Sequence, residues 1–214
     1  MKKPLRITKT HTFWLKIILH MLATSLLLIT FYQAFNDQLG ADPVQALLHF
    51  TGIGAFNLLL LSLAIAPFSQ YFRQGQLVTL RRPIGLYAFV YATCHFSSYL
   101  LFELQLQWSL LFSELIKRPY ISVGFGALLI LGVLSATSTK SIQRRMGRTW
   151  QKTHNWVYLA SLLVALHYFW SVKSDLIQPM IYGLLVIALL SFRKTKFLKP
   201  FKHATKKRIK TEQS

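Results

Sequence analysis

The strongest constraint on this chain is the spacing of its apolar residues. They fall in blocks of about twenty, close to the length a helix needs to cross the hydrocarbon core of a bilayer. Six blocks stand out, at 15–35, 51–69, 84–104, 120–138, 153–172 and 177–193. Hydrophobic residues make up 53% of the 214 and charged ones only 14%. A soluble domain of this length carries more charge and shorter apolar runs. The expectation is an all-α membrane protein: a six-helix transmembrane bundle over 15–193, with an N-terminal arm (1–14) and a basic tail (194–214). The connections are short, so no soluble domain fits between blocks, and there is no internal repeat.

Prolines punctuate the blocks as helices require. Pro83 and Pro119 stand just before blocks three and four, where proline suits a helix start. Pro67 and Pro179 lie near block ends, where proline is tolerated. The N-terminus (Lys2, Lys3, Arg6, Lys9, then an apolar run) resembles a signal peptide. Its apolar run is too long for one and lacks a small-x-small cleavage site, so it reads as the first span.

A formal charge of +19 invites a nucleic-acid reading. The placement of the charges argues against it. Lys and Arg sit between the apolar blocks and in the tail, not along an amphipathic face with interleaved aromatics. One side of the expected bundle receives the N-terminal arm, Lys16, Arg73, Arg81, Arg82, Lys140, Arg144, Arg145, Arg148, Lys152, Arg193 and the tail. That is 22 of the 25 basic residues; the other side has Lys117, Arg118 and Lys173. With an even number of spans, the positive-inside rule then puts both termini in the cytoplasm. The tail reads as a lipid-hugging segment against the bilayer surface. Most acids, Asp37, Asp42, Glu103, Glu114 and Asp175, fall on the outer side.

There is one cysteine, Cys94, which excludes an intramolecular disulfide, a C-x-x-C-H haem attachment and a Cys-rich metal site. Seven histidines carry the remaining chemistry. His11 and His203 lie in basic segments, and His49 in the expected outer loop "GADPVQALLHFTG". His20, His95, His154 and His167 fall in spans or at their edges. An ionisable residue in a membrane helix is costly and faces the bundle interior. A single one is readily explained as a neutral imidazole bonded across helices. Two at matched depth on separate helices are not.

At about 1.5 Å per residue, His95 lies about 18 Å beyond Pro83, and His167 about 21 Å beyond Thr153. Both are in the outer half and can face each other. Zinc wants four ligands, and no third is evident at this depth. Bis-histidine haem b fits better, its porphyrin suiting an apolar slot between helices. A histidine proton relay is the main competitor, although the outer half offers few acids to continue one.

His154 lies about 20 Å below His167 on the same helix, deep enough for a second cofactor near the cytoplasmic face. At about 100° per residue the two imidazoles differ by about 220°, so an ideal helix does not put them on one side; either a bulge or kink corrects this or the cofactors sit on different flanks. A partner for His154 is not obvious; His20 is one candidate. Arg81 and Arg82, in "LRRPIG", and the basic run "IQRRMGR" could pair haem propionates or a flavin phosphate. Positive-inside anchoring explains any one of them as well.

These features together resemble a known family. A histidine in span three ("YATCHFSSYL") and two histidines thirteen apart in span five ("HNWVYLASLLVALH") look like the ferric-reductase-like transmembrane domain. That domain is shared by eukaryotic NADPH oxidases, ferric reductases and a bacterial branch. "LGADPV", "HFTG", "LRRPIGL", "KRPYISVG" and "HYFWSVK" resemble the bacterial branch, the haem-binding subunit of a periplasmic methionine sulfoxide reductase system.

The resemblance implies haem b in the bundle, with His95 and His167 as axial ligands of one haem and His154 as a ligand of a second. It implies electrons drawn from the quinone pool, with FMN as a further cofactor. They would pass to a separate periplasmic molybdenum-cofactor subunit that reduces methionine sulfoxide in oxidised proteins. Larger members carry a second histidine in span three, fourteen residues from the first; here Arg81 takes that place. No nicotinamide-binding G-x-G-x-x-G follows a strand, so the donor is another molecule. His49 and Asp42 are candidates for partner docking or quinol deprotonation. The rival reading is a non-redox membrane protein, a transporter or assembly factor using its histidines as a proton relay.

Overall fold

The computed structural model describes residues 7–172 and 175–192. The expected basic tail, with Arg193 and His203, lies outside these residues, as do Lys2, Lys3, Arg6 and Lys173. The described residues are helical almost throughout. The long helices are α1 (Lys9–Phe35), α2 (Pro43–Tyr71), α3 (Arg81–Ser98) and α5 (Pro119–Ala136). Between α3 and α5 lies a short helix, α4 (Trp108–Lys117). Two more short ones, α6 (Lys140–Met146) and α7 (Arg148–His154), precede α8 (Val157–Ser171). The last described helix is α9 (Ile177–Phe192).

Four segments are long and apolar enough to cross a membrane: α1, α2, the stretch Gly75–Glu103 containing α3, and α5. The fifth apolar block forms a shorter helix than expected, while the sixth is helical over Ile177–Phe192, as far as the described residues run. α8 has 15 residues because the chain tightens at Asn155 and Trp156. There Trp156 N bonds Thr153 O (3.0 Å) and Tyr158 N bonds Asn155 O (3.1 Å). These i→i+3 bonds overwind the chain just after His154.

Caps account for the other differences. The second block was expected to start at residue 51, but the helix begins eight residues earlier. Asp42 caps it, accepting from Gln45 N (2.9 Å), and Pro43 takes the first helical position. His49 is therefore an exposed residue of α2 and not part of a loop. Thr8 caps α1 and exchanges bonds with His11, so that helix starts at Lys9. The 139–152 connection, expected as a loop, folds into α6 and α7, separated at Gly147 (φ 53°).

The core pairs large apolar side chains with alanines at the helix crossings. Leu59, Ala88, Leu131 and Ala160 meet, one each from α2, α3, α5 and α8. Ala88 and Ala160 are fully buried, and without bulk at these points the four backbones approach closely. Phe56 and Leu60 of α2 pack on Val186 of α9. Two hydroxyls tie the outer helices in: Tyr91 donates to the Ala23 carbonyl (2.7 Å) and Tyr182 to Asn57 Oδ1 (2.7 Å). The exterior is apolar, with Met21, Leu28, Leu129 and Leu184 all exposed. Such a surface suits a lipid environment, where backbone polar groups must be satisfied within the helices.

Candidate functional site

Four helices converge on two imidazoles. His95 projects from the last turn of α3 and His167 from α8. Their ring centroids lie 6.2 Å apart with planes at 82°. A metal–imidazole nitrogen bond is about 2 Å and the ring centre lies about 1 Å behind that nitrogen, so imidazoles sharing one metal have centroids about 6 Å apart. The observed separation matches.

Each imidazole is oriented by a backbone carbonyl on a neighbouring helix. His95 Nδ1 donates to Leu48 O on α2 (2.9 Å), with Thr51 Oγ1 at 3.5 Å. His167 Nδ1 donates to Tyr120 O on α5 (2.7 Å). A carbonyl only accepts, so Nδ1 carries the proton and Nε2 keeps its lone pair. Metal-binding histidines are held in this way, and the bond also raises the basicity of the free nitrogen.

Two glycines make room for the rings. A Cβ on Gly124 would lie 2.6 Å from His167 Nδ1, and one on Gly52 would lie 3.1 Å from His95 Nδ1. Any larger residue would occupy the space the imidazoles use. Just beyond His95, Ser98 Oγ is buried without a hydrogen-bond partner among the described residues, and the helix opens into a π turn over Tyr99–Glu103. Such turns recur at functional sites. Among the described residues, no group of three or more His, Cys, Asp or Glu side chains gathers at one point. A metal held here would draw its other ligands from outside the chain, as haem iron draws them from porphyrin. The residues fit that group.

His154 occupies a separate site. Its ring stacks on Trp150 (centroids 4.0 Å, planes 29° apart), and its Nε2 lies 3.2 Å from Thr137 Oγ1. Trp150 Nε1 donates to Thr137 O (3.0 Å), pinning α7 to the end of α5. His154 lines a cavity of about 270 Å³ together with Arg81, Arg82, Trp150, Gln151 and Tyr158. Arg81 is held there by donation from Nε to Ser62 O (3.2 Å). His20 does not line this cavity; it bonds the Tyr87 hydroxyl (3.0 Å). Arg144, Arg145 and Arg148 are exposed and do not line it either. The structure thus brings His154 together with Arg81 and Arg82, and not with His20.

Sequence reasoning missed the supporting groups: Leu48 O, Tyr120 O, Gly52, Gly124, Thr137 and Trp150. Two carried a signal. Gly124 lies four residues after Tyr120 in "KRPYISVG", and Trp150 lies four before His154, one helical turn in each case.

Residues 51–165 match the family described as ferric reductase like transmembrane component. Curated relatives include the protein-methionine-sulfoxide reductase heme-binding subunit MsrQ of Enterobacter sp. (strain 638). That protein is 44% identical over 194 residues, covering 90% of this chain and 98% of the relative. The same subunit of Klebsiella pneumoniae (strain 342) is 43% identical with the same coverage, and that of Salmonella paratyphi B (strain ATCC BAA-1250 / SPB7) 44%. No solved structure matches significantly. The likeness runs through most of α2, all of α3, α5 and α7 and part of α8, the helices that carry His95, His154 and the core, so the chain belongs to the ferric reductase-like transmembrane family, among the MsrQ heme-binding subunits.

Proposed function

We propose that this chain is a haem b electron conduit crossing the bacterial inner membrane as a six-helix bundle with both termini cytoplasmic. In this reading it takes electrons from the quinone pool, directly or through FMN. It delivers them to MsrP, the periplasmic molybdenum-cofactor subunit that reduces methionine sulfoxide in oxidised proteins. The observation that carries it is the His95–His167 pair, with its 6.2 Å separation and its carbonyl-bonded Nδ1 atoms.

When bound, haem supplies one-electron chemistry; the chain supplies ligands, orientation and exclusion of water. His95 and His167 would hold the haem iron through Nε2, and Leu48 O and Tyr120 O fix the imidazoles by accepting from Nδ1. Gly52 and Gly124 let the rings seat against α2 and α5. Near the cytoplasmic end, Trp150 and His154 give a flat stacking face, and Arg81 and Arg82 supply positive charge for a propionate or a flavin phosphate. That combination supports a second anionic, planar cofactor there, haem or flavin.

Purified full-length protein should show a Soret band that shifts on reduction. Once reduced with a quinol, it should reoxidise only when MsrP and methionine sulfoxide are both present. Colourless protein from haem-replete cells would sink the reading.

A further inference from the structure

Only one ion pair is found among the described residues, and it connects to His167 through Tyr120. Glu114 on α4 meets Arg118 with Nε 2.7 Å from its Oε2. That oxygen is shielded from solvent and lies off the hydrogen-bond angle, so the attraction is charge to charge. Arg118 NH1 also donates to the Tyr120 hydroxyl (3.3 Å). The Tyr120 ring packs 6.1 Å from the His167 ring, and the Tyr120 carbonyl takes the His167 Nδ1 proton. The chain of contacts runs from α4 through Arg118 and Tyr120 to the imidazole.

We infer that Glu114 and Arg118 are positioning residues for His167: the pair holds Tyr120, and its two opposite charges set the electrostatic field at the site His167 serves. This rests on the reading that His167 ligates haem. The Glu114 side chain is 18% exposed and that of Arg118 54%, so water screens the arginine more than the carboxylate. Removing the carboxylate leaves an unbalanced cation, which favours the reduced, electron-richer state. Removing the guanidinium leaves an unbalanced anion, which favours the oxidised state.

The test is the midpoint potential of the His95/His167 haem in the purified full chain in lipid nanodiscs, at a fixed pH above the carboxylate range. Glu114→Gln should raise it and Arg118→Gln should lower it. Arg118→Lys should stay near wild type, and the double variant Glu114→Gln/Arg118→Gln should return towards it. Shifts of the same sign in both single variants, or haem bound at unshifted potentials, would overturn the inference while leaving haem ligation intact. Equal loss of haem from all the variants would mean a purely structural role and would overturn it as well. Absence of haem from the wild type would overturn this inference together with the reading it rests on.

Discussion

Gly124 offers a sharp perturbation of the histidine site. Replacing it by alanine places a Cβ 2.6 Å from His167 Nδ1, 2.8 Å from Cε1 and 3.0 Å from Cγ. Non-bonded heavy atoms need about 3.5 Å, so the ring must retreat by roughly 1 Å. It cannot do so freely, because its Nδ1 is held 2.7 Å from Tyr120 O. Either that bond breaks or α5 and α8 separate. Overpacking of this kind costs about 1–3 kcal/mol, and loss of the orienting bond costs about 10–100-fold in metal affinity. Gly126→Ala is the matched control on the same helix, since a Cβ there meets nothing within 4 Å. It should be neutral or slightly stabilising, alanine being about 1 kcal/mol better than glycine within a helix. Gly52→Ala, at 3.1 Å from His95 Nδ1 and Cε1, should fall between the two. Haem content per protein and titration of the apoprotein with haem give the readout. If Gly124→Ala binds haem as tightly as Gly126→Ala, the packing argument for His167 is refuted.

Further perturbations probe other parts of the structure. Tyr91→Phe removes the buried bond from the Tyr91 hydroxyl to Ala23 O. It should lower stability by about 0.5–1.5 kcal/mol, the net value of one hydrogen bond, because the carbonyl loses only its extra partner, while leaving the Soret band in place. Trp150→Leu removes both the stack on His154 and the bond to Thr137 O. It should deplete any cofactor at the inner cavity while sparing the His95/His167 spectrum, as quantitative haem and flavin analysis would show. Asp42→Ala deletes the α2 cap and should cost about 1 kcal/mol in a melt.

How much of this was legible in the sequence depends on the physical scale of each feature. The apolar blocks were legible because a bilayer imposes one length on every crossing segment. The pairing of His95 and His167 was legible because depth accumulates at a fixed rise per residue, and an error of two or three residues moves a ring by only a few ångströms. Helix ends were not: hydropathy stops where polar residues begin, whereas Asp42 and Thr8 start their helices several residues outside the apolar blocks. α4 was not anticipated, because the 105–118 stretch was read only as a connection between spans. Its Leu111 is buried while Trp108, Phe112 and Ile116 are exposed at helical spacing. The His154 site was half legible. The periodicity set His154 and His167 on different sides of an ideal helix, but nothing located the tightened turn at Asn155–Trp156, or paired the ring with Trp150. Gly52 and Gly124 were unreadable because a glycine's role here lies in what stands across from it on another helix.

The most direct test of the central claim is the low-temperature electron paramagnetic resonance spectrum of the oxidised protein. Two imidazoles on one haem iron, with planes near the observed 82°, should give a strongly anisotropic low-spin signal. That signal should vanish in His95→Ala and in His167→Ala alike. A signal that survives either substitution would contradict the account.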